Sequence, residues 1–314
     1  MGLCPPSLKV KFASSCLSRI PTLHFSALRS DRCRPGDPPR QSQPSPFPPV
    51  LAGQAEVHLF DATSASWEEE MTTNNFIKAI HSFDHSMNVG EHFRNFLTLA
   101  YCAYAKTVSS PERAEILEAE YMRVVVTYQD KDDVRRMPEL IAMVFEGVHA
   151  NSDFLGSVSS ELNVLDGKAG QFFTPYEVSR LMAEINLSNV AETIEAKGYF
   201  TIQEPACGAG GMILAAADVL DRLGFDPTTT MWVEAIDVAS MCQKMAYLQC
   251  TLRGLSGRVH HANTLTLDNY QSDVLKDSVL FLEQHGDPFD AEPENNIQKK
   301  VEQLSNPLGQ LSLF

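Results

Sequence analysis

Glu204-Pro205-Ala206-Cys207-Gly208-Ala209-Gly210-Gly211 decides the fold of this chain. The stretch follows an apolar run at 199–202 and opens an Ala- and Leu-rich segment at 211–223, so it reads as a turn from strand to helix. Glycines there let backbone amides approach a ligand, and the start of the next helix favours a carboxylate or phosphate. The spacing is G-x-G-G, not the G-x-G-x-x-G of dinucleotide sites, which argues against nicotinamide or flavin.

Outward from the turn the pattern repeats. A helix-like segment at 176–185 precedes the first strand. A second strand is predicted at 231–236, an amphipathic helix at 241–252 and a short third strand at 258–261. Strands separated by helices of this length mean a parallel, doubly wound α/β sheet. Upstream, Phe93, Phe96, Leu97, Ala100, Tyr101 and Tyr104 recur at three- and four-residue steps, as one buried helical face requires. Ser110-Pro111-Glu112 is a helix start, and Leu140, Ile141, Val144, Phe145 and Val148 repeat the apolar stripe. Residues 71–165 therefore read as a helical domain and 166–270 as the α/β domain. From Leu267 the order thins, and 271–314 reads as an acidic flexible tail.

Residues 1–70 differ from the rest. They hold ten of the eighteen prolines, and their seven basic and seven acidic residues cancel, so the net charge of −15 belongs to 71–314. They read as a disordered extension or an over-extended reading frame. Met71 is the expected start, because Trp67-Glu68-Glu69-Glu70 implies a purine-rich tract like a bacterial ribosome-binding site. At 44% hydrophobic the chain can bury a core, which excludes wholesale disorder. No stretch has the apolar length of a membrane span. Seven cysteines without a C-x-x-C pair argue against a disulfide framework or zinc module and for a reducing cytoplasm. The acidic balance gives no support to a broad basic nucleic-acid surface, so any DNA contact is expected to be local.

The eight-residue phrase closely resembles the S-adenosylmethionine loop of N6-adenine-specific DNA methyltransferases, above all the modification subunits of type I restriction systems. Gly170-Gln171-Phe172-Phe173-Thr174-Pro175 resembles their second cofactor element, G-x-F-[FY]-T-P. The resemblance implies a Rossmann-like methyltransferase sheet, S-adenosylmethionine as cofactor and DNA as partner. By it, Phe173, Thr174 and Pro175 border the methionine end of the cofactor. Glu204 and the amides around Gly208 and Gly210 hold its amino and carboxylate groups, and Pro205 and Cys207 belong to the same cofactor-binding loop. An acid ending the second strand receives the ribose; Glu234 and Asp237 are both available, and Asp237 is favoured. Asn263, within His260-His261-Ala262-Asn263-Thr264-Leu265, matches the residue beside the adenine. Thr174-Pro175 also reads as an ordinary helix cap, and Cys207 as a small packing residue without a catalytic partner. His260 and His261 read as strand-end residues, since no third metal ligand has suitable spacing.

The family's [DNS]-P-P-[FYW] turn, which holds the flipped base, is not found after Asn263. Asp287-Pro288-Phe289 lacks one proline, and Asn306-Pro307-Leu308 lacks the second proline and the aromatic ring. The resemblance covers roughly 80–270, so the sheet is expected to be incomplete and the catalytic residues stay unassigned. Two classes of function follow. One is a DNA adenine-N6 methyltransferase with a divergent turn or one completed by a partner or specificity subunit. The other is a catalytically inactive cofactor-binding or DNA-associated protein of a bacterial mobile element. A protein or RNA methyltransferase fits the phrases less well. Finally, Gln310-Leu311-Ser312-Leu313-Phe314 resembles the peptide by which bacterial replication proteins bind the sliding clamp. Leu313 and Phe314 would anchor it in an apolar pocket, with Gln310 at the rim.

Overall fold

The computed structural model describes residues 62–150, 152–164 and 173–289, with side-chain surroundings from residue 72 onward. Its first element, α1 (Ala62–His81), begins ahead of Met71. Next come α2 (Val89–Ala105), α3 (Pro111–Thr127), α4 (Lys131–His149) and α5 (Phe154–Glu161). Their starts follow capping chemistry. Asn88, Ser110, Asp130 and Asp153 each accept a backbone N–H of the first turn, and Pro111 opens α3. The predicted stripe on α2 is buried at Phe93, Phe96, Leu97, Ala100 and Tyr101.

Phe76 of α1 meets Phe96 and Phe154 edge-on, at ring-centre separations of 5.3 and 5.7 Å. The same apolar cluster takes in Leu214, Met245 and Leu248 from beyond residue 200. A second cluster joins Tyr101 and Leu117 to Val233, Ala235 and Val259. Both therefore draw on residues either side of 165, and the helices are a wall of the α/β unit.

After α6 (Tyr176–Asn186) and α7 (Val190–Lys197) come β1 (Phe200–Glu204), α8 (Gly211–Leu223), α9 (Pro227–Thr230), β2 (Met231–Asp237), α10 (Ser240–Leu252) and β3 (Ser256–Asn263). The sheet order is sequential. β1 pairs with β2, and β2 with β3, in parallel, with Glu204 opposite Ala235 and Asp237 opposite His261. The fold is thus α/β with an open Rossmann-like sheet, and the ends of β1, β2 and β3 converge on one edge. No helix among the described residues is long and apolar enough to cross a membrane.

The expectation that order thins after Leu267 is corrected. β4 (Asp268–Val274) returns antiparallel to β3, and α11 (Ser278–His285) follows it. β4 escapes a periodicity reading because most of its side chains face solvent. Buried polar chemistry holds it instead. The Asp273 carboxylate accepts from the Tyr101 hydroxyl and from Arg113 Nε at 3.1 Å, with Gln271 donating to the same carboxylate. On the sheet's other face, Phe281 of α11 packs against Trp232 and Tyr199 at ring-centre separations of 5.1 and 5.2 Å.

Candidate functional site

The glycine turn is built by two left-handed residues, Gly208 at φ +55° and Gly210 at φ +99°, a conformation that L side chains resist. Gly210 stands at the cap position of α8 and supplies no side chain there. Three bonds fix the turn to neighbouring strands. Cys207 N–H donates to the Ile236 carbonyl at 2.8 Å, Gly208 N–H to Asp237 Oδ2 at 2.9 Å, and the Thr264 hydroxyl to the Pro205 carbonyl at 2.7 Å. The other Asp237 oxygen accepts the Ala239 N–H at 2.8 Å. Burial raises the Asp237 carboxyl above its ordinary range, and these two amides work in the opposite direction.

Over the turn lies a cavity of about 310 Å³, of the size of small-molecule sites. Phe173, Thr174, Gly208, Gly211, Asp237 and Cys242 are among the residues that line it. Phe173 reaches so close to Gly208 that a β-carbon on the glycine would stand 2.9 Å from two of its ring carbons. The two cofactor phrases, about thirty residues apart in the chain, therefore meet side chain to backbone.

Two residues that sequence reasoning missed hold the back wall. Asp153, the cap of α5, is buried against Gly211 and lines the cavity. Gln249 of α10 is fully buried and makes three bonds. Its amide nitrogen donates to Asp153 Oδ1 and to the Ala209 carbonyl, both at 2.7 Å, while its oxygen accepts the Leu155 N–H at 3.0 Å. One side chain thus ties the glycine turn to the start of α5. The visible signal was Asp153 ahead of Phe154-Leu155-Gly156, which indicates a helix cap and nothing more.

Other expected residues stand as follows. Pro175 itself occupies the cap position of α6, and its carbonyl accepts from Val178 and Ser179, so Thr174 is free of the capping duty read for it. Glu204 ends β1 and Pro205 follows it, both outside the cavity lining, and the Glu204 carboxylate accepts the Ala206 N–H at 3.3 Å. Glu234 faces away from Asp237: it accepts from the Trp232 indole at 2.8 Å and lies 2.6 Å from His260 Nε2. Asn263 turns its oxygen onto the Leu265 N–H at 3.0 Å. Asp287 pairs with Arg258 in the first half of β3, whereas the cavity lies beyond that strand's far end, so Asp287-Pro288-Phe289 is remote from it. Gly170, Gln171, Phe172 and the peptide Gln310, Leu311, Leu313 and Phe314 lie outside the described residues. Among the described residues, no group of three or more His, Cys, Asp or Glu side chains is placed to hold a metal.

Cys102, Cys207, Cys242 and Cys250 are free and buried. Burial pushes the Cys207 thiol well above its ordinary range and the other three up to about 12. Since the thiolate is the reactive form, iodoacetamide at pH 8 is expected to spare all four in the folded protein and label them in denaturant. Peptide mapping reads the result, and rapid native labelling of Cys207 would contradict its packing role.

Residues 158–304 match the family model described as N-6 DNA Methylase. A type I restriction enzyme methylase subunit, MjaIX, of Methanocaldococcus jannaschii is 26% identical over 125 residues, covering 40% of this chain and 19% of that protein. The chain thus spans about a fifth of that curated relative. A solved structure of a putative class I S-adenosylmethionine-dependent methyltransferase from Listeria monocytogenes is similar over 62% of this chain and 51% of its own, at 15% identity and a TM-score of 0.31.

Proposed function

We propose that the cavity over the glycine turn binds S-adenosylmethionine for methylation of adenine N6 in DNA, a reading that the match of residues 158–304 to the N-6 DNA methylase family supports. The observation that carries the reading is the seating of Phe173 on Gly208, with Asp237 bonded to the same glycine. The chemistry of the wall fits the cofactor. The Phe173 ring suits its sulfonium arm, and uncapped amides at the start of α8 suit its carboxylate. Asp237 keeps free lone pairs for ribose hydroxyls, because each carboxylate oxygen accepts more than one bond. Asn263, at the end of β3, is the residue proposed beside the adenine.

When bound, the cofactor supplies an electrophilic methyl group. The chain's own task is to orient it and keep water from it. Calorimetry with S-adenosylmethionine, followed by labelled methyl transfer to mixed-sequence DNA, tests the proposal. Wild type is expected to bind, and a Gly208→Asp/Gly210→Asp double variant to lose both binding and transfer. Absence of wild-type binding would sink the reading. The remoteness of Asp287-Pro288-Phe289 from the cavity favours a second reading, in which this chain binds the cofactor and a companion subunit holds the base. Binding without transfer selects it.

Recruitment to DNA in a bacterial cytoplasm is proposed to use the sliding clamp, through Gln310, Leu311, Leu313 and Phe314. Two anchoring apolar side chains would supply weak, useful affinity for so acidic a protein. A clamp pull-down that captures wild type and loses a Leu313→Ala/Phe314→Ala variant is the expected result. Equal capture of both removes the clamp.

A further inference from the structure

We propose that Asp153 and Ser179 form a subsite for a primary ammonium, so that the cavity selects a ligand ending in a zwitterionic α-amino acid. The inference rests on the cofactor reading above and assigns the ammonium to residues that neither the glycine turn nor the G-x-F-[FY]-T-P phrase contains.

Two buried polar groups facing one cavity carry the argument. Asp153 is 6% exposed, and its donors, Gly156 N–H at 3.0 Å and Gln249 Nε2 at 2.7 Å, both meet Oδ1. Oδ2 makes no hydrogen bond to the described residues and stands 2.8 Å from where a β-carbon on Gly211 would be. Ser179 is 1% exposed, lines the same cavity, and its hydroxyl has no partner among the described residues. Buried polar atoms are as a rule hydrogen-bonded, so the unpartnered Ser179 hydroxyl and an Asp153 Oδ2 that accepts from no described donor, both on residues lining this cavity, ask for a ligand that donates. A lone carboxylate in such a place asks for a cation. Asp153 fits that need as a charge, and Ser179 as a neutral acceptor beside it.

Position supplies the rest. Gly211, against which Asp153 lies, is the first residue of α8, whose uncapped amides favour an anion. A carboxylate side chain beside a helix N-terminus complements an ammonium and a carboxylate borne on one carbon, which is the end of an α-amino acid. Glu204, the residue first expected to take the ammonium, is outside the wall and turned onto its own loop. Gln249 acts on Oδ1 alone, which orients Asp153 and leaves Oδ2 without a bond from it, beside Gly211 of the cavity lining.

The test uses calorimetry on the full chain with two probes. One is S-adenosylhomocysteine; the other is its analogue carrying an α-hydroxyl in place of the ammonium. Wild type is expected to prefer the ammonium probe by roughly 10–100-fold, the range of a charge-assisted buried contact. Asp153→Asn retains an oxygen for Gly156 and Gln249, and is expected to bring the two probes within about threefold of each other. Ser179→Ala, which keeps the backbone N–H bonded to Pro175, is expected to reduce the preference severalfold and keeps the test open if Asp153→Asn fails to fold. An undiminished preference in the folded Asp153→Asn protein, or in Ser179→Ala where Asp153→Asn does not fold, overturns the subsite and leaves the cofactor reading intact. Failure of wild type to bind either probe overturns both.

Discussion

Gly208→Asp is expected to weaken S-adenosylmethionine binding by at least about 100-fold, a loss of ~2.7 kcal/mol of binding free energy. Three effects act together. The residue sits at φ +55°, where a non-glycine residue costs about 1 kcal/mol. Its β-carbon would stand 2.9 Å from the Phe173 ring, so the ring must leave the cavity wall. A new carboxylate would also lie beside Asp237, whose Oδ2 accepts the Gly208 N–H at 2.9 Å, and repel it. Gly208→Ala separates steric from charge effects, keeping the first two. Gly224→Ala serves as the backbone control. It has φ +85° with nothing within 4 Å of the added carbon, so it should lose a little stability and no affinity. Calorimetric affinity of Gly208→Asp within about threefold of wild type, in a protein with unchanged near-ultraviolet dichroism, would detach the turn from the cofactor.

The glycine turn was readable because its chemistry is local. Left-handed backbone, a strand before it and a helix after it all leave marks within a dozen residues of sequence. The stripes of α2 and α4 were readable for the same reason, since a helix repeats its buried face every three or four residues. β4 was not. Its stability comes from Asp273 bonding Tyr101 and Arg113, which lie more than 150 residues away in the chain, and a polar strand that is mostly exposed looks like a loop.

The cavity divides along the same line. Phe173, Thr174, Cys207 and Gly208 could be named from the two phrases and Asp237 from the acid ending the second strand, and they line one space. Asp153, Ser179 and Gln249 could not, because a single Asp, Ser or Gln is by composition a surface residue. Glu204 shows the converse. A glutamate ending a strand beside a glycine turn has the right place in the chain, yet the turn's own Ala206 amide takes its carboxylate.

Gln249→Leu should therefore destabilise the protein by about 3–5 kcal/mol, a large part of the ~5–15 kcal/mol typical of a domain. Leucine nearly fills the volume, so packing alone predicts a small effect. The loss comes from what is stranded. The Leu155 N–H and Ala209 carbonyl lose the partner that now meets them at 3.0 and 2.7 Å, and Asp153 Oδ1 keeps only Gly156. A buried polar group without a partner costs about 1–3 kcal/mol, and Gln249 itself is fully buried. Because the stranded carbonyl belongs to the glycine turn, the folded variant should also bind cofactor more weakly. Urea unfolding followed by circular dichroism measures the first effect, and calorimetry below the unfolding midpoint the second. A destabilisation under about 1 kcal/mol would mean that α5 and the turn are held by apolar packing, with Gln249 a passenger. Loss of stability without loss of affinity would separate the two roles, leaving Gln249 to hold the helices while Phe173 and Asp237 alone shape the cavity.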